Sequence, residues 1–244
     1  MTHCLSFDRQ HLHEIAEHLQ LTRFPDHGFG SACHRANLLR SSPAMEACVT
    51  RQQASAVAMA RLQDKPRLQP LSAFHVNQHC RESLVATYHA HLEQGAIKPD
   101  FHPGADFFHA LEIDGDYINY FLFLIHDWLH ILTSSKFDSF GELKLMSSLV
   151  ANMSYPGFAV YGISHFVRRL VDFMLQQEDD LVITKNRMAY EAMRSLMSGY
   201  ACGKCFQTFL GLDLSAASRM SLDLLRQFHQ APELCSVKLV NQAP

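Results

Sequence analysis

YINYFLFLIHDWLHILT, residues 117–133, is the most apolar helical stretch in the chain, yet three ionisable groups interrupt it: His126, Asp127 and His130. Phe121, Leu122, Leu124, Ile125, Trp128 and Leu129 read as core, so this helix predicts a buried centre for the fold. Polar groups carried into such a place cost several kcal/mol unless something partners them, on the order of 2–7 for an uncompensated group. His126 and His130 are four residues apart, a turn of about 400°, so both imidazoles leave one face of the helix, one turn apart. That spacing can place two ring nitrogens about 2.0–2.1 Å from a single metal ion. Asp127 lies about 100° around the helix, positioned either to bind the metal or to orient a ligand from behind it. Glu142 follows a short loop, Ser134–Asp138, and a helix–loop–helix hairpin would fold it back over the histidines. Two histidines and a carboxylate, with room left for water or substrate, are the pattern of catalytic rather than closed structural sites.

A plainer explanation stands beside this one. The chain has 16 His, so an i,i+4 pair is unsurprising, and Ser139-x-x-Glu142 is a capping box in which Glu142 would bond the backbone of Ser139. The apolar setting of His126 and His130 is what favours the metal.

Outward from this stretch the chain reads as helices. Asp8 to about Gln20 is a short helix with Asp8 as its cap, and residues 21–41 are irregular, with Pro25, Gly28 and Gly30 as breakers. Ser42-Pro43 starts a helix running to about Leu62, which Lys65-Pro66 ends. A helix from about Arg81 to Gln94 closes on Gly95. A short helix covers 105–112, Asp114-Gly115 is a turn, and Ser139 starts a helix to about Met153. Pro156-Gly157 interrupts the chain, and helices follow at about 158–177, 183–210 and 215–229. No segment alternates with period two. The expected fold is all-α, a single-domain helical bundle with a His-Asp-x-x-His helix hairpin at the metal site. Its parts are a divergent N-terminal helical region (1–60), a main helical domain (61–230) and a C-terminal tail (231–244).

Composition agrees. At 244 residues the chain can bury roughly 70–75% of its unfolded surface and needs no staple. A net charge of −3 argues against nucleic acid as a partner, and 17 Phe with 10 Met point to an aromatic-rich interior or an apolar pocket. Seven Cys without regular spacing fit a reducing cytoplasm. The first residues resemble neither a signal nor a transit peptide, and no run of 18 apolar residues is present. The expected location is cytoplasmic, with peripheral attachment to the cytoplasmic membrane left open, as is homodimerisation.

Other candidates carry less. Cys202-x-x-Cys205 is one isolated pair and reads as two ordinary helical cysteines. Arg168-Arg169 and Lys204 could meet an anionic head group but read as a solvated face. His75, His79, His89, His91, His102 and His109 are not assigned as ligands, and no substrate-binding residue is assigned.

The spacing His126-Asp127-x-x-His130-x11-Glu142 resembles the signature of the coenzyme Q (ubiquinone) biosynthesis protein 4 family. Lys65-Pro66-Arg67-Leu68 looks like that family's Arg-Pro-x-Ile element, Lys98-Pro99-Asp100 like its Pro-Asp step, and Gly141-Glu142 like its Gly-Glu pair. Gly199 to Lys204 is loosely similar to its C-terminal helices. The resemblance covers about residues 62–230 and is specific at 126–142. The first 60 residues lie outside it, and Ile125 stands where some members carry a polar residue. The resemblance implies a helical bundle with a metal held by His126, Asp127, His130 and Glu142. The metal is usually taken to be zinc, with iron as the alternative. It implies a prenylated aromatic substrate decarboxylated oxidatively, with Asp127 or Glu142 moving a proton. It also implies association with membrane surfaces and with other quinone biosynthesis proteins.

Two other readings compete. Residues 125–130 superficially match the His-Asp helix of HD-type metal-dependent phosphohydrolases, for which His89, His91 or His102 and Asp172 would have to converge on the metal. Leu129 and Glu142 do not suit that class. Alternatively the protein is a non-catalytic prenyl-lipid scaffold in which the metal is a structural pin.

Overall fold

The computed structural model describes residues 29–76, 80–97, 104–160 and 181–230. These are helical throughout; the only extended pairings among them are two isolated bridges, Ser83 with Ser221 and Phe206 with Gln230. In chain order the helices are α1 (Phe29–Leu38), α2 (Pro43–Gln53), α3 (Ala56–Asp64), α4 (Leu84–Glu93), α5 (Asp114–Leu124), α6 (His126–Leu132), α7 (Ser139–Met153), α8 (Leu181–Cys205) and α9 (Leu222–His229). The expectations for 8–20 and 231–244, and most of the helix expected at 158–177, lie outside the described residues.

Helix starts follow local chemistry. Ser42, Ser55, Ser83 and Ser221 cap α2, α3, α4 and α9, each side chain accepting a first-turn N–H. Lys65, before Pro66, ends α3 in the left-handed region at φ 41°. Gly95 takes φ 68° just beyond α4.

Several expected boundaries are corrected. The supposedly irregular stretch 21–41 contains α1, because Gly30 falls in the first turn, where little of the helical ladder depends on it. The helix expected from Ser42 to Leu62 is two helices, α2 and α3, since Ser55 caps a new start. Asp114-Gly115 is not a turn but the opening of α5. Helix α8 stops at Cys205, where Asn152 Nδ2 donates to the carbonyls of Gly203 and Phe206. The single helix expected over 117–133 bends at Ile125 (φ −92°, ψ 10°) into α5 and α6.

Helix α5 is the centre of the molecule. Every residue from Gly115 to Leu124 is buried, and one continuous apolar cluster joins it to residues from Ala32 to Leu225. Its polar members are satisfied. Asp116 accepts from Arg40 at 3.2 Å and from the Ile113 N–H. Asn119 donates to the Ala36 carbonyl and accepts from the Tyr155 hydroxyl.

Helices α7 and α8 form the tightest pair. A Cβ on Gly199 would fall 2.0 Å from the Lys144 carbonyl oxygen, and one on Gly203 2.1 Å from that of Ser148. Glycines four apart thus bring one backbone onto the other. Ser147 donates across the seam to the Leu196 carbonyl at 2.7 Å. This pairing fixes α7, and with it the position of Glu142.

Candidate metal centre

The bend at Ile125 separates a helix that fills the core from a shorter one that carries the histidines. His126 opens α6 and His130 lies one turn later. The chain then reverses. The Ser135 N–H donates to the His130 carbonyl at 2.7 Å, and the Thr133 hydroxyl, 2.8 Å from that of Ser135, donates to the Leu129 carbonyl.

Asp138, not Ser139, caps α7, accepting from the N–H groups of Phe140 and Gly141 at 3.0 and 2.8 Å. The capping-box explanation of Glu142 is therefore set aside. With the helix end already satisfied, the Glu142 carboxylate turns to the histidines. Gly141 makes this approach feasible: a Cβ there would lie 1.8 Å from the Lys136 carbonyl oxygen, so only glycine admits the loop against the first turn of α7.

His130 Nε2 stands 3.0 Å from Glu142 Oε1 and 3.2 Å from His126 Nε2, and His126 Nε2 is 3.4 Å from the same carboxylate oxygen. Among the described residues, His126, His130 and Glu142 form a group whose ligand atoms all fall within 4.8 Å of one another. Donors about 2.1 Å from a common centre stand about 3.0–3.4 Å apart at angles between a right angle and the tetrahedral one, so the three edges match three positions of a metal shell. Two ring nitrogens and a carboxylate also suit zinc or iron by donor type. The residues present fit a divalent cation.

The surroundings pack the rings and open one side. His130 is fully buried and stacks on Phe137 at 4.8 Å, and His126 stacks on Phe158 at 6.0 Å. The Nδ1 of His130 has no hydrogen-bond partner among the described residues, so stacking rather than an outer acceptor orients this ring. The Glu142 side chain keeps 30% of its surface, and solvent or substrate would enter from that side.

Charge is organised by the same contacts. Burial disfavours the charged form of His126, but the Glu142 carboxylate, its hydrogen bond and then Asp127 outweigh this and raise the pKa of His126 above its ordinary value. Burial would raise that of Glu142, yet His126 and His130 hold it well below the usual carboxylate range.

Asp127 is not in the three-donor group. It is half-buried beside it, and its charge acts on His126 and on the Tyr88 hydroxyl, whose pKa is pushed up to about 12 by burial and then by Asp127. The upstream histidines needed for an HD-type centre do not converge here among the described residues. His89 instead holds its Nε2 2.9 Å from the Phe74 carbonyl oxygen. Sequence reasoning missed Phe137, Phe158 and the cap at Asp138. Only Asp138, next to Ser139 at a helix start, left a readable signal.

The fold and site define an all-helical bundle with a His-x3-His pair and a distant Glu converging at one helix hairpin. The chain is similar to the crystal structure of a protein from Nostoc punctiforme PCC 73102, provisionally named a ubiquinone biosynthesis protein. The TM-score is 0.68 at 13% identity, covering 92% of this chain and 99% of that one. At that identity the likeness is one of fold. No protein-family model matches the chain, nor does any curated protein.

Proposed function

We propose that this protein is a metal-dependent enzyme of ubiquinone, or related prenylated quinone, biosynthesis that decarboxylates a prenylated aromatic precursor oxidatively. The observation that carries this reading is the convergence of His126, His130 and Glu142 on one point, within a fold shared with a protein named for that pathway. It also agrees with the resemblance of residues 126–142 to the coenzyme Q biosynthesis protein 4 family.

His126, His130 and Glu142 would hold the ion, zinc or alternatively iron, with Asp127 either joining them or orienting His126. Bound there, the metal supplies a Lewis acid for the ring's phenolate or carboxylate. Glu142, held ionised by the histidines, is a ligand for a cation and a weak base, not an acid. Asp127 is the group assigned to proton movement, since it stands beside the cluster and not within it. Phe137 and Phe158 cover the ring faces of His130 and His126 and keep water from them. Replacing the ring's carboxyl group by hydroxyl is a two-electron oxidation. With water and molecular oxygen as co-substrates, the ring carbon gains a hydroxyl, carbon dioxide leaves, and oxygen takes up the two electrons as hydrogen peroxide. A prenyl tail keeps such a substrate in a bilayer. Among the described residues no helix is long and apolar enough to cross a membrane. Access would be from a membrane surface, in the company of other quinone-pathway proteins. Helix α5 offers the tail no exposed apolar face, since residues 115–124 are all buried.

The test begins with protein purified without a metal-affinity tag. Elemental mass spectrometry should find near-stoichiometric zinc or iron in the wild type and none in His130→Ala. Cells carrying folded Glu142→Ala should then accumulate a carboxylated precursor. A folded wild type that takes up no metal would reject the centre. Full pathway flux with folded Glu142→Ala would instead favour a lipid-presenting scaffold.

A further inference from the structure

Helix α8 turns Ala192, Gly199 and Gly203 inward. Elsewhere on its surface Tyr190, Met193, Met197 and Tyr200 are each 53–69% exposed. Steps of three, four and three residues place them in one stripe about 80° wide. The stripe is a palindrome: Tyr, two residues, Met, three residues, Met, two residues, Tyr, centred on Ser195.

A two-fold contact between identical chains requires a patch that complements itself when the chain direction is reversed. We infer that this stripe is the seam of a homodimer, with two α8 helices crossing antiparallel about Ser195. Tyr190 of each copy packs against Tyr200 of the other, and Met193 against Met197. Tyr and Met are residue types enriched in interfaces, since they give large contact area and adapt in shape.

Charge does not oppose the contact. Arg194 is paired with Glu191 at 3.5 Å, and the Lys204 ammonium lies over the Tyr200 ring at 5.5 Å. The stripe itself holds no acid or base. Its four side chains would bury at most roughly 500 Å² per copy, about 1,000 Å² for the pair, the size of a weak, concentration-dependent dimer contact. The inference does not depend on the metal reading.

The test is the mass of the full-length protein in lipid-free buffer, by sedimentation across micromolar to near-millimolar concentrations. The wild type should reach the mass of two 27.7 kDa chains. Met193→Lys and Met197→Glu should each shift it to one chain while leaving the helical circular dichroism unchanged, since both positions are exposed. Mixed in equal amounts, the two variants should form a one-to-one dimer, because the register places the new lysine opposite the new glutamate. A wild type that stays monomeric throughout overturns the proposal, as does a dimer insensitive to both variants. A mixture that fails to pair overturns the antiparallel register. A monomer that sediments with anionic vesicles, and loses this with Met197→Glu, assigns the stripe to a lipid surface instead.

Discussion

Glu142 Oε1 lies 3.0 Å from His130 Nε2 across twelve residues of chain, and the contact exists because Asp138 takes over the helix-capping task that Glu142 would otherwise perform. Three lone-pair-bearing atoms then face one another with no proton arrangement that suits all of them, whereas a cation suits all three. Removing either partner should therefore cost metal before it costs fold. Glu142→Gln and His130→Ala are each expected to weaken zinc binding by more than about 100-fold, the upper range seen for mere outer-sphere partners. Competition with a chromophoric chelator checks this, and near-native affinity in both variants would remove the centre from the argument.

The same contacts predict opposite pH dependence with and without metal. The raised pKa of His126 contributes stability to the metal-free protein that is fully present below its ordinary value of 6.5 and lost as pH rises through the raised one. The lowered pKa of Glu142 contributes stability present above its ordinary 4.5 and lost only in strong acid. The metal-free fold should thus be steadiest between these limits and soften above neutrality. Metal must displace the His126 proton, so its affinity should rise over that same upper range. Calorimetric Tm from pH 5 to 9 on chelated and zinc-loaded protein reads both slopes, and Glu142→Gln should flatten the metal-free one.

What the sequence made legible was whatever depends on short-range chemistry. The cap at Ser42, the Pro66 stop and the i,i+4 pair at His126 and His130 all act within a few residues, and each is found where it was expected. The bend at Ile125 was not legible. No proline or glycine marks it, and the backbone bonds from Ile125 to Phe121 and from Leu129 to Ile125 run on through it. Only the packing around α5 and α6 distinguishes it from a straight helix. The choice between capping and ligation at Glu142 was equally hidden. It turned on which of two adjacent residues, Asp138 or Ser139, caps α7, and both are good caps. Phe137 and Phe158 reach the histidines through tertiary packing alone.

Close approach of α7 and α8 gives a third expectation. Gly203→Ala places a methyl group 2.1 Å from the Ser148 carbonyl oxygen, and backbone cannot step aside as a side chain can. Overpacking typically costs about 1–3 kcal/mol, only partly offset by roughly 1 kcal/mol of gained helix propensity. Thermal unfolding should fall by several degrees, at about 2–4 °C per kcal/mol for a chain of this size. Gly104→Ala is the control, since nothing lies within 4 Å of its added Cβ and its φ is −68°. Equal Tm values for the two variants would mean that the helices separate at little cost.

The last expectation concerns the anchor of α5. Asp116 is fully buried, and its carboxylate satisfies both the Ile113 N–H at the helix start and the Arg40 guanidinium. Removing one member of a buried pair costs about 3–5 kcal/mol, chiefly through the partner left uncompensated. Here Arg40 keeps 29% of its side-chain surface and can turn to water, which places Asp116→Ala near the lower end, about 3 kcal/mol. Arg40→Met should cost more than its exposure suggests, because it strands a carboxylate that has no route to solvent. Urea unfolding of both single variants and the double separates these contributions. A double variant no worse than Asp116→Ala alone is the expected result. Strictly additive losses would show that the pair is not coupled, and that Asp116 holds α5 through the Ile113 backbone alone.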